Sequence, residues 1–272
     1  MANLVFGAAT SHLAMVLNEP TGEETERIAR FRAGFTRLRE GIHDQAVDVL
    51  VVVSGEHINK FFLDNMPAFA VGMADSYWGP VEELPIEKRV ARGTPSLSRV
   101  ILETGLAGQI DWARVEEWDL DHGIMVPLHF LDPSADMSIV PIFVNTSIPP
   151  YPTLRRCREV GRSLRDAVTA WPEHVNVAIV ACGGLSHSPG DFRMGYIDEA
   201  FDMNFLRLLE KPDLEAVVNM PEERIEAAGS SAGEIRAWVI LAAAFEGTPL
   251  QNLLYEPISR FGTGCAQGLY RP

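Results

Sequence analysis

Val175-Asn176-Val177-Ala178-Ile179-Val180-Ala181, followed at once by Cys182-Gly183-Gly184-Leu185-Ser186-His187, is the stretch on which the fold turns. Its mostly β-branched and small apolar residues, closed by two glycines, predict a strand buried on both faces, because a half-exposed strand would alternate polar and apolar positions. Four more runs of this kind occur at Leu4–Ala9, Val47–Val53, Ala68–Met73 and Ile139–Val144. Between them lie helical spacings. Glu23–Arg39 sets Ile28, Phe31, Phe35 and Leu38 on one side, with Thr21-Gly22-Glu23-Glu24 as a capping box. Thr153–Val168 sets Leu154, Cys157, Val160, Gly161, Leu164 and Val168 opposite a row of arginines, and Met194–Glu210 and Glu234–Phe245 also read as helices. The alternation predicts an α/β fold in a single domain, residues 1–272, with a mainly parallel or mixed central sheet and helices on both faces. Trp78–Pro95, which holds three prolines and mixed charges, is expected to run as a long surface excursion.

The chain has 272 residues, 47% of them hydrophobic, which is ample for a buried core. Lysine and arginine number 23 against 37 for aspartate and glutamate, so the formal charge is 23 − 37 = −14. Such a surface repels nucleic acid and anionic membranes, and neither is an expected partner. Cys157, Cys182 and Cys265 are too few and too scattered for a disulfide framework, which suits a reducing compartment. The apolar start Met1–Ala9 lacks a basic segment and meets Thr10-Ser11-His12 at once. A soluble, cytoplasmic protein is expected.

The seven histidines carry the chemical information. His12, His57 and His187 share one address, each a few residues beyond the carboxyl end of an expected strand. In an open α/β sheet ligands bind in the crevice outside those ends, so residues far apart in sequence converge there. A histidine at a strand end is also a common hydrogen-bonding loop residue, so the address alone leaves both readings open. Asp121-His122-Gly123 pairs an imidazole with a carboxylate that fixes its tautomer or simply makes a turn. His43 and His174 read as surface residues, and His129, in an apolar stretch, as a core histidine.

Ser231-x-x-Glu234 ahead of the apolar run Ile235–Phe245 has the form of a capping box, and on pattern alone capping is the favoured role of Glu234. A glutamate at a helix start also projects into a cleft, which keeps a metal-binding role open. No phosphate-binding loop, zinc-protease helix or serine-nucleophile elbow is present. Cys182 beside Gly183 reads as a small buried thiol rather than a nucleophile.

Taken together, Ser11-His12, Glu56-His57-Ile58-Asn59-Lys60-Phe61-Phe62, Asp119-Leu120-Asp121-His122-Gly123 and Gly183-Gly184-Leu185-Ser186-His187 resemble the class III extradiol ring-cleaving dioxygenases, particularly the catalytic subunits of protocatechuate 4,5-dioxygenases. The likeness extends over nearly the whole chain, including Val144-Asn145, Phe201–Phe205 and Gly233-Glu234-Ile235. The resemblance implies that His12, His57 and Glu234 bind Fe(2+) as a two-histidine, one-carboxylate facial triad. It implies an acid/base role for His187 and a second polar role for His122. The implied reaction inserts both atoms of O2 into a catecholic ring, of protocatechuate, gallate or aminophenol type, with meta cleavage. Glu56 stands where relatives are expected to carry aspartate, so support of the His57 ligand is expected to differ. The region after Glu234 looks short and ends in a Gly-rich tail, which implies either a separate small subunit or a homo-oligomer. A zinc-dependent hydrolase using the same residues is the competing enzymatic reading, and a metal-free binding protein the non-enzymatic one.

Overall fold

A computed structural model describes residues 1–19, 21–22 and 24–272. Its strands are β1 (Asn3–Thr10), β2 (Val49–Ser54), β3 (Phe69–Gly72), β4 (Ser76–Gly79), β5 (Arg89–Arg92), β6 (Ala113–Val115), β7 (Ser138–Val144), β8 (Asn176–Cys182), β9 (Gln251–Ile258) and β10 (Thr263–Tyr270). Its α-helices are α1 (Thr25–Asp44), α2 (Pro95–Ala107), α3 (His122–Leu131), α4 (Leu154–Ala170), α5 (Glu199–Leu209), α6 (Glu215–Val218), α7 (Glu222–Ala228) and α8 (Ile235–Ala244).

Eight strands form one sheet in the order β6-β3-β7-β2-β8-β1-β10-β9, and β4 pairs with β5 in a separate hairpin. The four central strands, β7, β2, β8 and β1, run parallel, while β3 and β10 join them antiparallel on either side. The mixed α/β sheet expected from the sequence is therefore present. Between their terminal residues the central strands are apolar at every position because they face two cores. In β8, Val177, Ile179 and Ala181 enter one core while Ala178, Val180 and Cys182 enter the other. Valine and isoleucine side chains buried this fully contribute about 1.5–3 kcal/mol each relative to exposure. One core is covered by α2, α4, α5 and α8, the other by α1 and α3. A Cβ on Gly161 of α4 would lie 2.1 Å from the Ile240 carbonyl oxygen, so the absence of a side chain there is what lets α4 seat against α8.

The termini of several elements differ from expectation. The capping box ahead of α1 and the first residue of that expected helix include Glu23, which lies outside the described residues. The helix expected from Met194 begins only at Glu199, because Gly195 takes a positive φ of 91° and Asp198 caps the helix by accepting from the Phe201 amide at 2.9 Å. Trp78–Pro95 is not one continuous excursion: it opens in β4, returns through β5, and Pro95 starts α2. The Gly-rich tail is β10, buried along its whole length, with Gly264 and Gly268 placed where Asp202 and Leu250 leave no room for a side chain. No helix of the described residues is long and apolar enough to cross a membrane. The three cysteines are buried and free.

Candidate active site

The ends of β1, β8 and β2 are adjacent and in register, Thr10 opposite Cys182 and Cys182 opposite Ser54. His12, His57 and His187 follow these ends by two, three and five residues, so one edge of the sheet delivers all three imidazoles to one place. His122 joins them from the first turn of α3, and Glu234 from a tight 3-10 turn, Ala232–Glu234, that leads into α8. The ring centroids of His12 lie 5.1 Å from His57 and 5.6 Å from His122, and His57 and His122 stack at 3.9 Å. Ring nitrogens of these three histidines all lie within 4.8 Å of one another, an arrangement able to hold a metal ion.

Glu234 is the buried anion of this cluster. Its Oε2 lies 3.4 Å from His12 Nε2, and its Oε1 lies 3.5 Å from His187 Nε2 and 3.8 Å from His57 Nε2. The Gly184 amide donates to Oε2 at 2.5 Å, and a Cβ on Gly183 would come within 2.9 Å of Glu234. The Gly183-Gly184 pair is thus the place where the backbone closes on the carboxylate. The capping reading fails: neither Ser231 nor Glu234 makes a side-chain cap, since the glutamate turns to the imidazoles instead. Burial opposes ionisation of Glu234, yet the imidazoles of His12 and His187 outweigh it and hold its pKa well below the ordinary carboxylate value. Burial depresses the pKa of His12. At His57 burial also opposes the charged ring, but the Asp121 and Glu234 carboxylates prevail and raise its pKa to about 10.

His57, His122 and His187 are each anchored through Nδ1, which in His57 and His187 is the nitrogen turned away from Glu234. His57 Nδ1 lies 2.8 Å from Asp121 Oδ2, which also accepts from the His57 amide at 2.9 Å. His122 Nδ1 lies 2.6 Å from Glu82 Oε1, and His187 Nδ1 lies 2.9 Å from the Leu185 carbonyl oxygen. Asp121 therefore orients His57 and not, as its sequence position suggested, its neighbour His122. The reason is local: Asp121 caps α3 by accepting from Gly123 at 3.0 Å, which turns its carboxylate away from His122. Glu82 takes that place, carried in by the segment after β4, whose backbone is tied to Leu120 by bonds of 2.7 and 2.9 Å. Nothing local in the sequence marks Glu82. Glu56 does not touch His57's ring; its carboxylate accepts from the amides of Asn59, Lys60 and Phe61 and holds the loop that carries the histidine. His43 and His174 are exposed, as expected. His129 is exposed as well, which corrects the core reading: burial of α3 is continuous only from Gly123 to Leu128, and position 129, in its last turn, reaches solvent.

The five residues open into a cleft of about 310 Å³. Its outer walls are Leu13, Met15, Pro189, Met194 and Phe261, with the hydroxyls of Ser188, Ser231 and Thr263 among them. Of these wall residues Phe261 comes from the turn before β10 and Thr263 is the first residue of that strand. A larger cleft of about 650 Å³, lined by Asn59, Lys60, Phe62, Trp78 and Glu116–Asp119, holds none of the histidines.

Comparison with known proteins matches the chain to a family. Residues 7–265 match the catalytic LigB subunit of aromatic ring-opening dioxygenases. Gallate dioxygenase of Pseudomonas putida is 33% identical over 172 residues, 62% of this chain, and the match spans only 49% of that protein. A 2,3-dihydroxyphenylpropionate/2,3-dihydroxicinnamic acid 1,2-dioxygenase of Burkholderia vietnamiensis is 28% identical, covering 79% of each chain, and its namesake in Photorhabdus laumondii is 25% identical over 97% of this chain and 96% of its own. The crystal structure of an uncharacterized protein of Escherichia coli K12 shares the fold, with a TM-score of 0.64 at 16% identity over 97% of this chain and 99% of the other. With the match running over almost its full length, the chain belongs to the family of catalytic LigB subunits of aromatic ring-opening dioxygenases.

Proposed function

We propose that the protein is an extradiol dioxygenase that inserts both atoms of O2 into a catecholic ring with meta cleavage, and that His12, His57 and Glu234 hold Fe(II) for it. The observation that carries this reading is a buried carboxylate facing the inward nitrogens of several imidazoles at the base of a largely apolar cleft, in a chain of this family. The donor set suits a ferrous ion. An ionised carboxylate so deeply buried calls for a neighbouring positive charge. Separations of 3.4–3.8 Å are long for hydrogen bonds but close to the roughly 3 Å between adjacent ligand atoms of an ion with bonds near 2.1 Å. Of the possible sets, the one containing Glu234 neutralises one charge of a divalent ion, whereas three neutral imidazoles would neutralise none. Fe(II) held by two imidazoles and a carboxylate supplies open coordination positions and a redox partner for dioxygen.

The rest falls to the protein's own side chains. Asp121 holds His57 in one tautomer and turns Nε2 inward. In this reading His187 is the acid/base group: with Nδ1 tied to the Leu185 carbonyl, Nε2 is free to take a proton from a catechol hydroxyl and to return one as the ring opens. His122, fixed by Glu82, is the second polar group beside the reacting atoms. Leu13, Met15 and Phe261 keep water from the ring. The protein is taken to act as one catalytic domain, residues 1–272, in the reducing cytoplasm, as a homo-oligomer or with a separate small subunit. The zinc-hydrolase reading gains no support, since the named relatives are dioxygenases. Anaerobic loading with Fe(II) or zinc, followed by oxygen-electrode assays with catechol, protocatechuate, gallate and aminophenols, tests the proposal. Oxygen uptake with iron alone is expected; zinc-supported activity without oxygen uptake would overturn it.

A further inference from the structure

The cleft also carries information about the ring it receives, an inference that rests on the dioxygenase reading above. Among the described residues no lysine or arginine lines it. The cations nearest in sequence lie elsewhere: Lys60 lines the neighbouring larger cleft, Arg193 binds Asp191 and the Glu226 carbonyl, Arg236 binds Glu222 and the Pro152 carbonyl, and Arg260 binds Thr21. Of the three hydroxyls in the wall, Thr263 spends its proton on the Phe261 carbonyl at 3.0 Å, and Ser188, which accepts from the Ser230 amide at 3.1 Å, is a neutral donor and supplies no charge. The charges in the cleft lie at its base, where Glu234 adds a negative one. At the mouth Met15 and Met194 leave 41% and 74% of their surface exposed, so the outer wall is apolar surface available to a substituent.

A carboxylate on the ring would give up water for a wall that offers it no cation, at a cost an uncharged group does not bear. An alkyl, aryl or ester group would instead cover Met15, Met194 and Phe261 and gain from the burial. We propose that the preferred substrates are catechols whose ring substituent is uncharged and largely apolar, rather than aromatic acids, with that substituent lying between Met15, Met194 and Phe261.

Oxygen-electrode kinetics of the Fe(II)-loaded protein on matched pairs tests this: 2,3-dihydroxyphenylpropionate against its methyl ester, and gallate against methyl gallate. The ester of each pair is expected to show a kcat/KM at least about tenfold higher, mainly through KM. Met194→Arg, which touches no residue of the imidazole cluster's anchoring network, is expected to narrow or invert that ratio by supplying the missing cation. Equal or better turnover of the acids by the unaltered protein would overturn the substrate inference alone, as would a ratio unmoved by Met194→Arg. Absence of oxygen uptake with every catechol would overturn the ring-opening reading and the substrate inference with it.

Discussion

The Asp121 carboxylate reaches back 64 residues to grip His57 twice, at the ring Nδ1 (2.8 Å) and at the backbone amide (2.9 Å). One side chain thereby sets both the position of the histidine and the direction of its free nitrogen. Burial works against the charge on Asp121, but its bonds to His57 prevail and draw its pKa down to about 2. If this grip presents His57 to the metal, Asp121→Asn should weaken Fe(II) binding about 10–100-fold while the protein still folds. Anaerobic metal titration reads this directly; an unchanged affinity would reduce Asp121 to a cap of α3.

His187 and Glu234 lie 3.5 Å apart, and the proposed mechanism assigns them different tasks. Glu234→Ala should abolish iron binding and activity together. His187→Ala should retain its iron and lose about 100-fold or more in kcat, the usual contribution of a positioned acid/base group. Metal analysis beside steady-state kinetics separates the two, and loss of iron from His187→Ala would place that histidine among the ligands.

Glu82 touches His122 and not Glu234, His12 or His57 in the bonds it makes. Glu82→Gln should leave iron content intact, lower kcat, and leave KM nearly unchanged, because in the proposed mechanism it disturbs only the orientation of a group acting on the bound ring. A rise in KM with kcat preserved would contradict this assignment.

Asp202 supplies a pH test at a group outside the imidazole cluster itself. It accepts from the Ser186 amide (2.8 Å), the Ser186 hydroxyl (2.7 Å) and the Tyr255 hydroxyl (2.8 Å), and so braces the loop that carries His187. Burial raises its pKa to about 6, the hydrogen bonds opposing only in part. In the unfolded chain the group titrates near 4, so between those values the folded state holds the extra proton. Its contribution to stability is therefore present below about pH 4 and is lost as pH rises through 6, a change on the order of 2–3 kcal/mol. Denaturation of the wild type and Asp202→Asn across pH 4–7 should show the wild type losing stability relative to the variant over that window. Parallel profiles would contradict it.

Much of this arrangement was legible in the sequence, and the division has physical causes. The central strands were readable because burial on both faces leaves unbroken apolar runs, and with them came the shared address of His12, His57 and His187. His122 and Glu234 stood out by family resemblance; local pattern alone favoured a cap for Glu234, since a glutamate at a helix start looks the same whether it turns to the backbone or to a cleft. The supports were not legible. Glu82 reaches His122 across 40 residues through a hairpin, and Asp121 serves His57 because capping turns it away from its neighbour. β10 was missed because glycines that read as a loose tail are the small residues a crowded strand requires against Asp202 and Leu250. His129 was misplaced because an apolar helix buried through its first turns can still reach solvent in its last.

The central claim is that an iron ion held by His12, His57 and Glu234 serves ring opening. The most direct measurement is the number of iron ions bound and of O2 molecules consumed per catechol by anaerobically loaded protein, beside Glu234→Ala. One iron per chain and one O2 per catechol, both lost in the variant, is the predicted result. Normal iron binding by Glu234→Ala, or no oxygen uptake by the iron-loaded wild type, would contradict it.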